Sequence, residues 1–364
     1  MDSKQIIGYQ KESLEMVLGK MMSRALDACI ITDLSVIRWL TGFSGSSARL
    51  LVTPEKTWLF TDFRYQEQAA QEVAVAETVI APDGFAAELG SGCYPLGELV
   101  ALQSDNVTWH EATRLIGQLH GKQRVIPVDS FFDEFMMLKN ETELIKMRRA
   151  AEISEKVFEK VLSMISPSVT ELDIAAEITF QHKKLGADKD SFEPIVAGGV
   201  RSAMPHAKPT AACFKPGELI VIDTGCIYEG YASDQTRTVA LGKISGEARE
   251  VYRIVQEAQE LGVASARCGM EAKELDAEVR RYIADRGYTD EFGHGLGHGV
   301  GLKVHEEPRI SPKGEHELRE KMVFTIEPGI YLPGKFGVRI EDTVVMGPHG
   351  ATSLQRFTKE LIEL

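Results

Sequence analysis

The chain has 364 residues, more than one compact core usually holds, so two domains are expected. Hydrophobic residues make up 43% and charged residues 26%, which excludes global disorder. The formal net charge is -13, and Lys and Arg are scattered without a basic face, which excludes nucleic acid as a partner.

The segment from Met1 to Gln10 is polar and lacks an apolar core of the secretory type. No run approaches the roughly 20 apolar residues of a membrane span, so no membrane partner is expected. Five cysteines (Cys29, Cys93, Cys213, Cys226 and Cys268) form no CxxC pair. Reduced thiols in a cytoplasmic protein are the expectation. Helical spacing of Leu14, Val17, Met21 and Leu26 predicts a helix over 12–28, followed by a buried strand at Cys29–Ile31. Leu50–Val52 and Thr57–Phe60 read as strands around a turn at Pro54, and Asp105–Trp109 and Gln123–Val128 as two more. This α/β domain is expected to span residues 1–135.

A second domain, 136–364, opens on a long helix with Asn140 as N-cap and Glu143 three residues on, the spacing of a capping box. Another helix is expected over Thr170–Leu185, stopped by Gly186. Strands follow at Leu219–Asp223 and Ala232–Leu241. Helices over 246–267 and 271–286 and strands at Met322–Ile326 and Val338–Met346 repeat the pattern. Helix, helix, strands, twice over, suggests an internal duplication folded into one pseudo-symmetric domain.

Asp223 ends the apolar run Leu219–Ile222, and Asp234 lies on the return strand. If the strands pair, both carboxylates face one space. A carboxylate there is costly to bury alone, and a cation is one remedy; a turn Asp and a surface Asp are the bland alternative. Three histidines, His294, His298 and His305, fall within twelve positions among glycines 293, 295, 297, 299 and 301. Glycine permits close backbone approach, and imidazole is a common metal ligand; a Gly-rich surface loop is the alternative. Glu327 ends another apolar run, and Glu341 follows Ile340, with an ion pair to Arg339 as the competing reading. Four carboxylates cluster only if cations neutralise them, and two ions balance them better than one. Oxygen-rich sites with one imidazole suit Mn²⁺, Co²⁺ or Zn²⁺. Two such ions about 3.5–4 Å apart imply hydrolysis.

The stretch from His294 to Glu306 resembles the signature of the Xaa-Pro peptidases, the family of prolidase and aminopeptidase P. Asp223 and Asp234 with Thr236-Arg-Thr238, Glu327-Pro-Gly329, Arg339-Ile-Glu341 and Met204–Pro209 are similar to its other active-site motifs. Ile37–Gly45 and Thr61–Tyr65 are similar to its N-terminal domain. The resemblance implies an α/β creatinase-like N-terminal domain and an α+β pita-bread catalytic domain. It implies Asp223, Asp234, His298, Glu327 and Glu341 as ligands of two divalent ions, with Asp234 and Glu341 shared by both.

It further implies cleavage of the peptide bond before proline in a peptide with proline at its second position, and a homodimer. Glu327 is expected to move the proton. His305 and His206 are expected to steady the carbonyl oxygen, and His294 to position substrate. Arg339 and Arg309 are expected on the substrate; a Xaa-Pro dipeptide offers its carboxylate to Arg309 in two parallel hydrogen bonds. A solvated loop histidine and a surface arginine are the plain readings of His206 and Arg309. A methionine aminopeptidase, a creatinase-like amidinohydrolase and a non-enzymatic peptide-binding module are the alternatives on this fold.

Overall fold

The computed structural model describes residues 3–119, 121 and 123–364. The chain forms two compact units, one running to Met136 and one from Met137 to Leu364. The first unit holds strands β1 (Ala28–Ile31), β2 (Arg49–Val52), β3 (Thr57–Thr61), β4 (Glu77–Ile80), β5 (Leu99–Gln103) and β6 (Arg124–Val128). They form one sheet in the order β4-β3-β2-β1-β5-β6. Helices α1 (Ser3–Ser23), α2 (Leu34–Thr41), α3 (Gln66–Glu72), α4 (Phe85–Gly90), α5 (Trp109–Gln118) and α6 (Asp133–Met136) accompany it. Ile30, Leu51, Phe60, Val100 and Leu102 lie in its core. Gly42 closes α2 with φ 84, a left-handed turn that suits glycine.

Two sequence expectations are corrected here. Helix α1 starts at Ser3 and ends at Ser23, because its first turns are largely solvated and need no apolar stripe, and because Ala25 adopts φ 53, outside a helix. The strand expected at Asp105–Trp109 is a loop that runs into α5 at Trp109: the apolar run Leu99–Leu102 takes the place in the sheet, and Thr108 caps α5 by accepting from Glu111 N.

The second unit repeats one motif. Helices α7 (Glu141–Leu162) and α8 (Glu171–Lys184) precede strands β7 (Lys189–Asp190), β8 (Ile195–Gly198), β9 (Glu218–Thr224), β10 (Cys226–Tyr228), β11 (Tyr231–Ala232) and β12 (Gln235–Leu241). Helices α9 (Gly246–Ser265) and α10 (Ala272–Ala284) precede β13 (Gly297–Gly299), β14 (Glu306–Ile310), β15 (Val323–Ile326), β16 (Gly329–Leu332), β17 (Phe336–Arg339), β18 (Asp342–Gly347) and β19 (Gly350–Ser353). Asn140 and Glu143 form the expected capping box of α7, and Thr170 and Asp173 form one for α8. Val157, Phe158, Ile174 and Ile178 of the first helix pair share a core with Ile220, Ile222 and Val239. Val255, Leu275 and Val279 of the second pair share another with Phe324, Ile326, Val338 and Val344. Each such buried apolar side chain stabilises the fold by about 1.5–3 kcal/mol.

Two expected strands are each broken in two. Ala232–Leu241 divides at Ser233 and Asp234, and Val338–Met346 divides at Ile340 and Glu341. At both breaks side chains replace the strand ladder. Asp234 O accepts from Thr343 Oγ1 (2.9 Å) and Gln355 Nε2 (2.8 Å), and Glu341 O accepts from Arg237 Nη1 (2.6 Å). The backbone leaves the pleat where a carboxylate turns inward.

Candidate metal centre

Strands β9 and β12 pair antiparallel, with Thr236 opposite Asp223, so Asp223 sits at the end of the hairpin next to Asp234. His298 lies in the middle of β13, between two glycines whose backbone leaves no room for a side chain. A Cβ at Gly297 would lie 1.9 Å from Thr325 O, and one at Gly299 would lie 2.1 Å from Glu307 O. Glu327 directly follows β15, and its N–H donates to Leu296 O at 2.8 Å. Asp223, Asp234, His298, Glu327 and Glu341 all line one cavity of about 470 Å³, together with His206, His294, His305 and Arg339.

Asp234, His298 and Glu341 each offer a ligand atom, all within 4.8 Å of one another. Oδ1 of Asp223 and Oδ1 of Asp234 are buried without a hydrogen-bond partner. Burial, followed by the mutual repulsion of neighbouring carboxylates, pushes Asp234 and Glu341 well above the usual carboxylate range. Burial also raises Glu327 and lowers His298. Crowded, buried carboxylates with unpaired oxygens beside a neutral imidazole are the donor set of a divalent cation site, and the residues fit that group.

The remaining predicted residues take distinct places. The rings of His305 and His298 have centroids 4.2 Å apart, and desolvation together with the neighbouring ring pushes His305 down to about 4. His294 is fixed at both nitrogens, with Gly295 O 2.8 Å from Nδ1 and the Tyr331 hydroxyl 3.1 Å from Nε2. Since a carbonyl only accepts, Nδ1 carries the proton and a neutral ring accepts from Tyr331. His206 lies on the cavity wall in an exposed loop.

Arg339 was expected on substrate and lines the cavity, but its guanidinium is a buttress. It donates to Asp223 Oδ2 (2.7 Å), Tyr331 Oη (2.8 Å), Thr236 Oγ1 (3.1 Å) and Pro205 O (3.1 Å). The competing Arg339–Glu341 ion pair is replaced by Arg339–Asp223, and Glu341 Oε2 instead accepts from Thr236 Oγ1 at 2.6 Å. Arg309 does not line the cavity. Its side chain is 77% exposed, with Nε 3.4 Å from Glu307 Oε1. Sequence reasoning missed Tyr331, and it named Thr236 and Arg237 only as motif residues, without their contacts to Glu341. Tyr331 follows Glu327 by four residues and Thr236 lies beside Asp234, but neither spacing signals its long-range partner.

This is the architecture of a metal-dependent hydrolase: strands backed by two helix pairs converging on a carboxylate-rich pocket. Residues 145–348 match the metallopeptidase family M24, and residues 14–137 match the creatinase/prolidase N-terminal domain. The chain belongs to the M24 metallopeptidase family, with the pita-bread catalytic fold behind a creatinase-type N-terminal domain. An Xaa-Pro dipeptidase of Pyrococcus horikoshii is 36% identical, covering 96% of this chain and 99% of the relative. The structure of an Xaa-Pro dipeptidase from Bacillus anthracis is similar with a TM-score of 0.94 at 33% identity, covering 98% of this chain and 100% of that one. An X-Pro aminopeptidase from Thermotoga maritima is similar with a TM-score of 0.88 at 36% identity, covering 96% and 99% of the two chains. Among the described residues no helix is long and apolar enough to cross a membrane.

Proposed function

We propose that this protein cleaves the peptide bond preceding proline, as an Xaa-Pro dipeptidase with two divalent metal ions. The observation that carries the reading is the convergence of Asp223, Asp234, His298, Glu327 and Glu341 on one cavity in which Oδ1 of Asp223 and Oδ1 of Asp234 are buried without a partner. These five residues would hold the ions; Mn²⁺ or Co²⁺ suits the oxygen-rich set best, and Zn²⁺ is compatible with it. When bound, the ions supply Lewis-acid polarisation and neutralise the carboxylates.

The chain's own groups do the rest. A Glu327 carboxylate oxygen takes a proton from the attacking water and returns it to the proline nitrogen as the C–N bond breaks. His305 and His206 donate N–H to the carbonyl oxygen as negative charge develops there. His294, locked between Gly295 O and Tyr331, shapes the wall against which the substrate lies. Proline lacks the N–H by which general peptidases dock a backbone, so this bond needs a dedicated site. A homodimer in the cytoplasm belongs to the same reading; two-fold dimers are the commonest closed oligomers, and all five cysteines are free thiols.

The Thermotoga relative keeps Xaa-Pro aminopeptidase activity as the second reading. Arg309 separates the two. It stands opposite His298 in the β13–β14 ladder, with its side chain exposed and turned to Glu307. If it takes a dipeptide's carboxylate, Arg309→Ala raises KM for Xaa-Pro by about 10-fold or more, the worth of a charge-assisted hydrogen bond. The same change leaves Xaa-Pro-Yaa amides unaffected. Equal effects on both substrates, or none, favour the aminopeptidase. Failure of the metal-loaded protein to cleave either substrate removes the reading.

A further inference from the structure

We propose that Glu171 and Arg201 are positioning residues for His206, acting through the backbone of loop 198–210. This inference rests on the hydrolase reading for the role of His206, and on geometry alone for the clamp itself. The His206 ring forms no hydrogen bond among the described residues, so its place in the cavity wall depends on the chain either side of it. Two guanidinium groups hold that chain. Arg339 donates to Pro205 O at 3.1 Å on one side, and Arg201 Nη2 donates to Lys208 O on the other. Arg339 is anchored on Asp223 within the metal centre. Arg201 is anchored on Glu171, with Nε 3.0 Å from both carboxylate oxygens.

Glu171 is 1% exposed and gathers both ends of the loop. Its Oε1 accepts from Gly198 N at 3.0 Å; its Oε2 accepts from Thr210 N at 2.9 Å and from Thr210 Oγ1 at 2.8 Å. An acidic residue in the first turn of a helix is ordinarily explained by the helix dipole. That explanation is weak here, because Thr170 and Asp173 already cap α8 while both Glu171 oxygens face the loop. Ser202 adds a third tie by accepting from Gly337 N at 2.8 Å. The loop is therefore strapped to α8 and to β17, and the clamp sets how far His206 reaches into the cavity.

The experiment compares Arg201→Met, Arg201→Lys, Glu171→Gln and His206→Ala, together with the Arg201→Met/His206→Ala double variant, in the metal-loaded full chain. Steady-state kinetics on an Xaa-Pro dipeptide, metal content, thermal stability and amide hydrogen exchange are read for each. His206→Ala is expected to lower kcat by about 10²-fold, the loss of one donor to a developing oxyanion. Arg201→Met is expected to lower kcat comparably with metal content unchanged, and the double variant to fall no further. Arg201→Lys keeps the charge but not the two-armed fork, so it restores thermal stability without restoring kcat. Glu171→Gln is expected to speed exchange across 198–210 by about 10-fold, with β9 and β12 unchanged. Multiplying effects in the double variant, wild-type kcat in Arg201→Met or in His206→Ala, or unchanged exchange in Glu171→Gln would each overturn the clamp while leaving the hydrolase reading intact. A wild-type protein inactive on Xaa-Pro removes that reading instead, and the exchange result then decides the clamp.

Discussion

Glu327 stands where strand β15 ends, half-buried, with Thr325 Oγ1 at 3.2 Å and His298 Nε2 at 3.4 Å from its Oε1. Replacing it with Gln keeps the shape and removes the proton acceptor. Glu327→Gln is expected to lower kcat by about 10²-fold or more, the range of acid–base groups. Near-normal kcat with metal bound, by steady-state kinetics and metal analysis, would take the proton-transfer role from it. Residues of this kind were legible in the sequence, because an acid closing an apolar strand is costly without a partner. Arg339 was visible as a motif residue, but its tie to Asp223 was not: that partner lies 116 positions away, and no local spacing announces the pairing. Tyr331 and Glu171 were missed for the same reason. Their work is done on backbone and side chains brought near only by the fold.

Among the elements, helices were read well where capping chemistry is local, as at Asn140 and Thr170. Strands were read too long at Asp234 and Glu341, because the groups that interrupt the ladder there come from distant parts of the chain. The segment 303–306 shows how an element end is held. Lys139, its side chain 1% exposed, places Nζ 2.9 Å from Glu306 Oε2, while Glu306 Oε1 accepts from Lys303 N at 2.9 Å. The same ammonium attracts Glu143, whose carboxyl burial pushes up. Lys139→Met leaves buried carboxylate without its cation. A loss of about 3–5 kcal/mol is expected from urea denaturation. A loss under about 1 kcal/mol would place the pair with exposed salt bridges.

Across the whole molecule, two units carry separate cores, and all candidate chemistry lies in the second. Thiol reactivity reports on both. Burial pushes Cys29 of the first unit up to about 12 and Cys226 of the second up to about 11, while Cys93, Cys213 and Cys268 are exposed. The three exposed thiols are expected to react with an aromatic disulfide reagent in the native protein, and all five after denaturation. Prompt reaction of all five in the native state would contradict both cores. The central claim is that the cavity's carboxylates are built around metal ions used in hydrolysis. Its most direct test is turnover of an Xaa-Pro dipeptide after exhaustive chelation and again after adding Mn²⁺ or Co²⁺, with metal content measured at each stage. The expected result is loss of activity with loss of metal and recovery on addition; full activity in protein shown to hold no metal would contradict it.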